Sequence, residues 1–166
     1  MIWSLMVVLE QRGYNRESSC KLPFSSSREG KFVMPTAEYD PLYLRGIEFF
    51  NDCEFFESHE AWEELWTEYQ GPSRKFYQGL IQAAVALHHF GNGNIRGAKK
   101  LYYTSLGYLE PYRPLHEGID LDKFFAEMQR CFASIINSDE DFPAVEIVAD
   151  EIPEIHLDPA PGAAES

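Results

Sequence analysis

The segment Phe55–Trp66 (FFESHEAWEELW) constrains the fold more than any other part of the chain. In an α-helix, residues three and four positions apart share a face. One face of this segment and of its continuation to Tyr69 is therefore aromatic and the opposite face acidic. The aromatic residues are Phe55, Trp62, Trp66 and Tyr69, and the acidic ones are Glu57, Glu64 and Glu68. His59 and Glu63 lie one turn apart beside the aromatic face, so the segment predicts an amphipathic helix that carries a polar pair at the edge of the core.

The helical period continues from Pro41 to Ile135 and predicts an all-α fold, a compact array of about five helices. The predicted helices span 41–53, 55–69, 73–90, 94–109 and 121–135. No strand is expected between them. The second and third helices are joined by the short breaker Gln70-Gly71-Pro72, which favours antiparallel packing. The sequence therefore predicts a central antiparallel helical hairpin.

The chain length of 166 residues, with 45% hydrophobic residues, is enough for one buried core and too short to favour two domains. Residues 34–137 contain the helical periodicity and are predicted to be the folded domain. Residues 11–31 are rich in serine and charge and lack a sustained period, so we expect residues 1–33 to form a disordered or dispensable N-terminal extension. Residues 138–166 are acidic and proline-rich, and we expect them to form a flexible tail.

The net charge of −13 argues against binding to nucleic acid or to an anionic membrane surface, since both need basic patches. Nine acids lie in 138–166, so the rest of the chain carries only −4. Three widely spaced cysteines lack a paired metal or redox motif, and no apolar stretch reaches the length of about 20 residues that spans a bilayer. We expect a cytoplasmic protein, with a protein partner or a homo-oligomer left open.

The third predicted helix is apolar almost all round, which is typical of a central helix. Its polar residues Gln78, Gln82 and His89 fall on one narrow stripe, while His88 lies near Ile81. Antiparallel packing sets this stripe against His59 and Glu63. The sequence therefore predicts one buried His/Glu/Gln cluster whose members hydrogen-bond to one another.

These motifs, together with Gly46-Ile47-Glu48-Phe49-Phe50-Asn51 and Gly93-Asn94, resemble the DUF309 family over about 39–109. The resemblance implies a small all-helical domain of uncharacterised function. Its hallmark positions correspond here to Glu57, His59, Glu60, Glu63, Trp66, Gln78, Gln82, His88 and His89. Cys53 departs from the glycine or small residue expected at the turn between the first two helices.

Three functional interpretations follow from the cluster. The preferred one is a non-enzymatic or unassigned helical domain whose cluster either specifies packing or binds a ligand or partner. The alternative is a metal-dependent hydrolase-like enzyme, because His59-Glu60-Ala61-Trp62-Glu63 has the layout of the zincin motif with a carboxylate at its fifth position. In that case His59, Glu63 and His89 (or His88) would bind a divalent metal and Glu60 would activate water. The third, a tetratricopeptide-type interaction module, lacks the expected repeat of about 34 residues.

Overall fold

The computed structural model describes residues 39–138 and 143–158, and within them the fold is essentially all-α, as predicted. The helices are α1 (Pro41–Asn51), α2 (Phe55–Glu68), α3 (Arg74–Gly91), α4 (Ile95–Leu109), α5 (Leu121–Cys131) and α6 (Ala133–Ile136). Two 3₁₀ turns span Glu110–Tyr112 and Ala149–Glu151. The predicted helix boundaries agree to within a few residues, because the residues that begin and end the helices are strong signals. Asp40 caps Leu42 N, and Asn94 caps Gly97 N.

A small β-hairpin between α4 and α5 was not predicted. Its strands, β1 (Leu115–His116) and β2 (Ile119–Asp120), have only two residues each, too few to show an alternating pattern. The turn residues Glu117 and Gly118 have φ angles of 46° and 75°, the left-handed conformation of a tight two-residue hairpin. The expectation of no strand before the tail is therefore wrong at this point.

Close packing of α1 on α2 depends on Gly46, where a Cβ atom would lie 2.1 Å from Trp62 Nε1. Two hydrogen bonds fix this contact. Ser58 Oγ donates to Gly46 O at 2.8 Å, and Trp62 Nε1 donates to Tyr43 O at 3.1 Å. The turn that follows α1 contains Cys53 with φ 61°, a conformation that glycine adopts more easily, which is why a small residue is expected there.

Helices α2 and α3 form the predicted antiparallel pair, with the start of α2 beside the end of α3. The Phe56 and His88 rings are 5.7 Å apart, and Arg74 lies over the Trp66 ring at 3.9 Å and donates to Trp66 O. Helix α3 packs against both α2 and α4. Leu80 and Leu87 on α3 are fully buried, so α3 is the central helix that its composition predicted.

The C-terminal segment contacts the helical body. Ile155 is only 2% exposed and hydrogen-bonds to Asn51, and Leu157 forms a β-bridge with Ile119. The predicted boundaries of the domain stay predictions, but the buried surface extends beyond residue 137. The predicted extension 1–33 lies outside the described residues. Among the described residues, no helix is long and apolar enough to cross a membrane.

Candidate functional site

The structure brings three predicted histidines together where α2 begins and α3 ends. Phe56 links them, since its ring lies 4.7 Å from that of His59 and 5.7 Å from that of His88. The His88 and His89 rings are 6.2 Å apart. The name α2–α3 cluster is used below for His59, His88 and His89 and for Gln82, which is buried about two turns before His89 on α3. His59, Gln82 and His89 are buried, whereas His88 is half-buried and connects the cluster to the surface.

The mutual hydrogen bonding expected within the α2–α3 cluster is missing at its two most buried members. His59 Nδ1 and both side-chain amide atoms of Gln82 are buried and have no hydrogen-bond partner. Trp66 Nε1, also on α2, is likewise buried without a hydrogen-bond partner. An unsatisfied buried polar group costs about 1–3 kcal/mol of folding free energy, so these atoms reduce the stability of the α2–α3 pair.

The N-cap of α4 favours one tautomer of His89. Asn94 Oδ1 accepts from Gly97 N at 3.0 Å, which fixes the orientation of the amide. Asn94 Nδ2 therefore points to His89 Nδ1, 3.4 Å away, and donates to it. Neutral His89 consequently carries its proton on Nε2.

His88 is held neutral by its surroundings. Burial lowers the pKa of His88, the neighbouring His89 and His59 lower it further, and only Glu57 raises it. Asn92 Nδ2 donates to His88 Nε2 at 2.9 Å, a bond that requires the unprotonated nitrogen. The surface member of the cluster is therefore an uncharged imidazole at neutral pH.

The carboxylates predicted for this site are more exposed than its histidines. Glu57 and Glu60 are exposed on α2, while Glu63 and Gln78 are half-buried. In the described part of the chain, no group of three or more His, Cys, Asp and Glu side chains is placed to hold a metal ion. The assignment of His59, Glu63 and His89 as metal ligands and of Glu60 as general base therefore stays a prediction without supporting geometry.

A second polar cluster was missed from the sequence. Ser73 Oγ lies 2.9 Å from His116 Nε2 and donates to Glu117 Oε1 at 2.8 Å, which ties the β-hairpin to the start of α3. These three residues are called the hairpin cluster below. Ser73 is separated from His116 and Glu117 by more than 40 residues, and no spacing rule brings it to them. The Glu117-Gly118 turn was the only local signal of the hairpin.

Neighbouring aromatic rings and a hydrogen bond from Tyr43 hold the hairpin cluster in place. The His116 ring lies between those of Phe76 and Tyr112, at 4.8 and 4.5 Å, and Tyr43 OH donates to Glu117 O at 2.8 Å. These contacts hold Glu117 in its left-handed conformation, which a residue with a Cβ atom adopts at some cost. Burial lowers the pKa of His116, and Glu117 partly offsets this effect.

Residues 43–101 match the family model of DUF309, a domain of unknown function, which confirms the resemblance for this segment. The chain is also similar to the uncharacterized protein YpuF of Bacillus subtilis (strain 168), with 39% identity over 77 residues, 46% of this chain and 44% of YpuF. An uncharacterized protein of Aquifex aeolicus (strain VF5) is 32% identical over 94 residues, 56% of this chain and 25% of that protein. The chain thus spans less than half the length of both relatives, and neither name states an activity.

Proposed function

We propose that the domain is a non-enzymatic binding module, and that the α2–α3 helix pair binds a small polar ligand at the α2–α3 cluster. The observation that carries this proposal is the distribution of unpartnered atoms. Among the described residues, five buried side-chain polar atoms lack a hydrogen-bond partner, and four of them belong to His59, Trp66 and Gln82 on α2 and α3. Buried polar groups are normally paired, so a concentration of exceptions on one helix pair favours a site that a ligand completes.

The chemistry of these atoms suggests the class of ligand. Gln82 offers both a donor and an acceptor, and His59 Nδ1 takes either role according to its tautomer. Trp66 lies beside Arg74 at the other end of the helix pair and is not counted in this set. A carboxamide or carboxylate group complements Gln82 and His59, because its oxygen accepts from the amide donor. A carboxamide also pairs with both amide atoms of Gln82.

The test follows the histidine side chains by NMR in the full chain. Acetamide, acetate, succinate and free glutamine are titrated separately, with the His59 signals identified by comparison with His59→Gln. We expect at least one probe to shift the His59 signals in a saturable manner. Gln82→Met, which keeps a similar side-chain volume, should abolish the shift, whereas Glu68→Ala on the exposed face of α2 should leave it unchanged.

A lack of any saturable shift, combined with a clear loss of stability in Gln82→Met, would overturn the proposal. That combination would mean that Gln82 is satisfied inside the protein by packing or by buried water, and that the α2–α3 cluster is structural.

The metal-dependent hydrolase is tested by elemental analysis of the wild type, Glu60→Gln and Glu63→Gln, purified without chelators. We expect no stoichiometric metal. A content of about one zinc, iron or manganese ion per chain, lost in Glu63→Gln and kept in Glu60→Gln, would instead support the enzyme, since Glu63 would be a ligand and Glu60 the base.

A further inference from the structure

The C-terminal segment 153–158 contacts the body of the domain through its backbone and through alternate side chains. Asn51 makes two hydrogen bonds to a single residue, because Ile155 N donates to Asn51 Oδ1 and Asn51 Nδ2 donates to Ile155 O, both at 2.8 Å. The side chain of Asn51 thereby pairs with Ile155 as a neighbouring β-strand would. Further along, Leu157 forms an antiparallel bridge with Ile119, and Asp158 N donates to Gly118 O at 2.8 Å.

The side chains of the same segment alternate between the body and solvent. Pro153 and Ile155 are buried and Leu157 is half-buried, whereas Glu154, His156 and Asp158 are exposed. This alternation has the period of a strand with one buried face. The inward positions form the pattern proline, any residue, isoleucine, any residue, leucine.

Backbone pairing at a strand edge combined with side-chain burial at alternate positions is how many domains bind extended peptides. In this chain the backbone of residues 153–158 pairs with the side chain of Asn51 and with the backbone of Gly118 and Ile119. Asn51, Gly118 and Ile119 are called the docking surface below. The sequence pattern did not identify Asn51 as a residue that pairs with an extended segment, because its partner Ile155 lies 104 positions away.

We propose that the docking surface is a binding site for an extended peptide, and that residues 153–158 of this chain are its resident ligand. Among the described residues between the end of α6 at Ile136 and Pro153, the only regular secondary structure is the short 3₁₀ turn Ala149–Glu151. A linked peptide has a high effective concentration at its site, up to the order of millimolar for short flexible linkers. The tail therefore outcompetes a free peptide of the same pattern until it is released.

The first experiment uses a fluorescent peptide with the sequence of residues 151–158 and the full chain. Ile155→Asp places a charge at the most buried tail position and should release the tail. Val148→Asp is the matched control, since Val148 lies shortly before this segment in the chain and is 52% exposed. We expect the peptide to bind Ile155→Asp at least about tenfold more tightly than it binds the wild type or Val148→Asp, because the resident ligand no longer competes. Adding Asn51→Ala to Ile155→Asp should remove this binding.

The second experiment covers the case in which Ile155→Asp does not fold, as judged by circular dichroism. A protease site is inserted between Ala144 and Val145, and the folded chain is then cut. We expect the released C-terminal fragment to stay bound through gel filtration and to be replaced by an excess of the labelled peptide. If cutting unfolds the domain, or if the fragment never exchanges, the segment is an integral part of the core and the proposal is wrong. Equal binding of the peptide to folded Ile155→Asp and to the wild type overturns it as well.

Discussion

The α2–α3 cluster and the hairpin cluster contain similar residues but differ in how their polar atoms are satisfied. In the hairpin cluster, Ser73 Oγ has two partners within 2.9 Å, and a tyrosine fixes the backbone of Glu117. In the α2–α3 cluster, His59 Nδ1 and the amide of Gln82 have none. Since satisfied networks rigidify a fold and unsatisfied ones weaken it, we expect the hairpin cluster to stabilise the domain. Under the function proposed above, the unpartnered atoms of the α2–α3 cluster are the ones that a ligand would pair.

Leu87→Ala should have the largest effect and sets the scale against which both clusters are compared. Leu87 is fully buried on α3, next to His88, and its truncation opens a cavity in the core. We expect a loss of about 2–5 kcal/mol in the free energy of unfolding, measured by urea denaturation. Glu68→Ala on the exposed face of α2 should be nearly silent, and a greater loss there would show that the assignment of buried faces is incorrect.

Ser73→Ala tests whether the hairpin cluster stabilises the fold. The change removes one hydrogen bond each from His116 and Glu117, and we expect a loss of about 1–3 kcal/mol by the same assay. Ser105→Ala is the control, because Ser105 is equally buried but bonds only to Tyr102 O three residues away. If both variants lose the same small amount, the link between hairpin and α3 contributes no special stability.

Acidification should destabilise the protein through both clusters. Burial lowers the pKa of His88 and of His116, so the unfolded chain holds these protons more tightly than the folded chain does. The corresponding stability is complete above the ordinary histidine pKa of about 6.5 and is lost as the pH falls through the lowered values. Thermal melts between neutral pH and mildly acidic pH measure this loss.

His88→Gln should reduce the acid sensitivity more than His116→Gln. Two neighbouring histidines reinforce the effect of burial on the pKa of His88, whereas Glu117 offsets the effect of burial on that of His116. The opposite order would indicate that the hairpin cluster, rather than the α2–α3 cluster, is the more sensitive to protonation.

Gln82→Met should have the smallest effect on stability. The sign of the change in the free energy of unfolding shows whether the α2–α3 cluster, unlike the hairpin cluster, contains unsatisfied polar atoms. Replacing an unpartnered buried amide by an apolar side chain of similar size is neutral or favourable, so we expect a change between zero and a gain of about 1 kcal/mol. Gln78→Met, at a half-buried position of the same helix, serves as the control. A loss above about 1 kcal/mol for Gln82→Met would show that Gln82 is satisfied in the folded protein.

Local sequence signals were sufficient for most of the helical fold. Asp40 before Pro41 and Asn94 before α4 fixed two helix starts, and Gly71-Pro72 marked the break between α2 and α3. Helical phase and antiparallel packing predicted that the stripe of Gln78, Gln82 and His89 faces His59, whereas His88, which the structure places near His59, was predicted to lie outside that stripe. The satisfaction of their polar atoms did not follow, because hydrogen bonding depends on distances and angles that a helical wheel does not contain.

The sequence by itself determined the helices, their buried faces and the region where the polar site lies, since all three depend on residue types three or four positions apart. The tertiary structure alone decided which polar atoms are paired. It joined Ser73 to His116 and Glu117, and Asn51 to Ile155, across 43, 44 and 104 positions. The physical reason is that such contacts arise from the three-dimensional path of the chain, and no local periodicity encodes them.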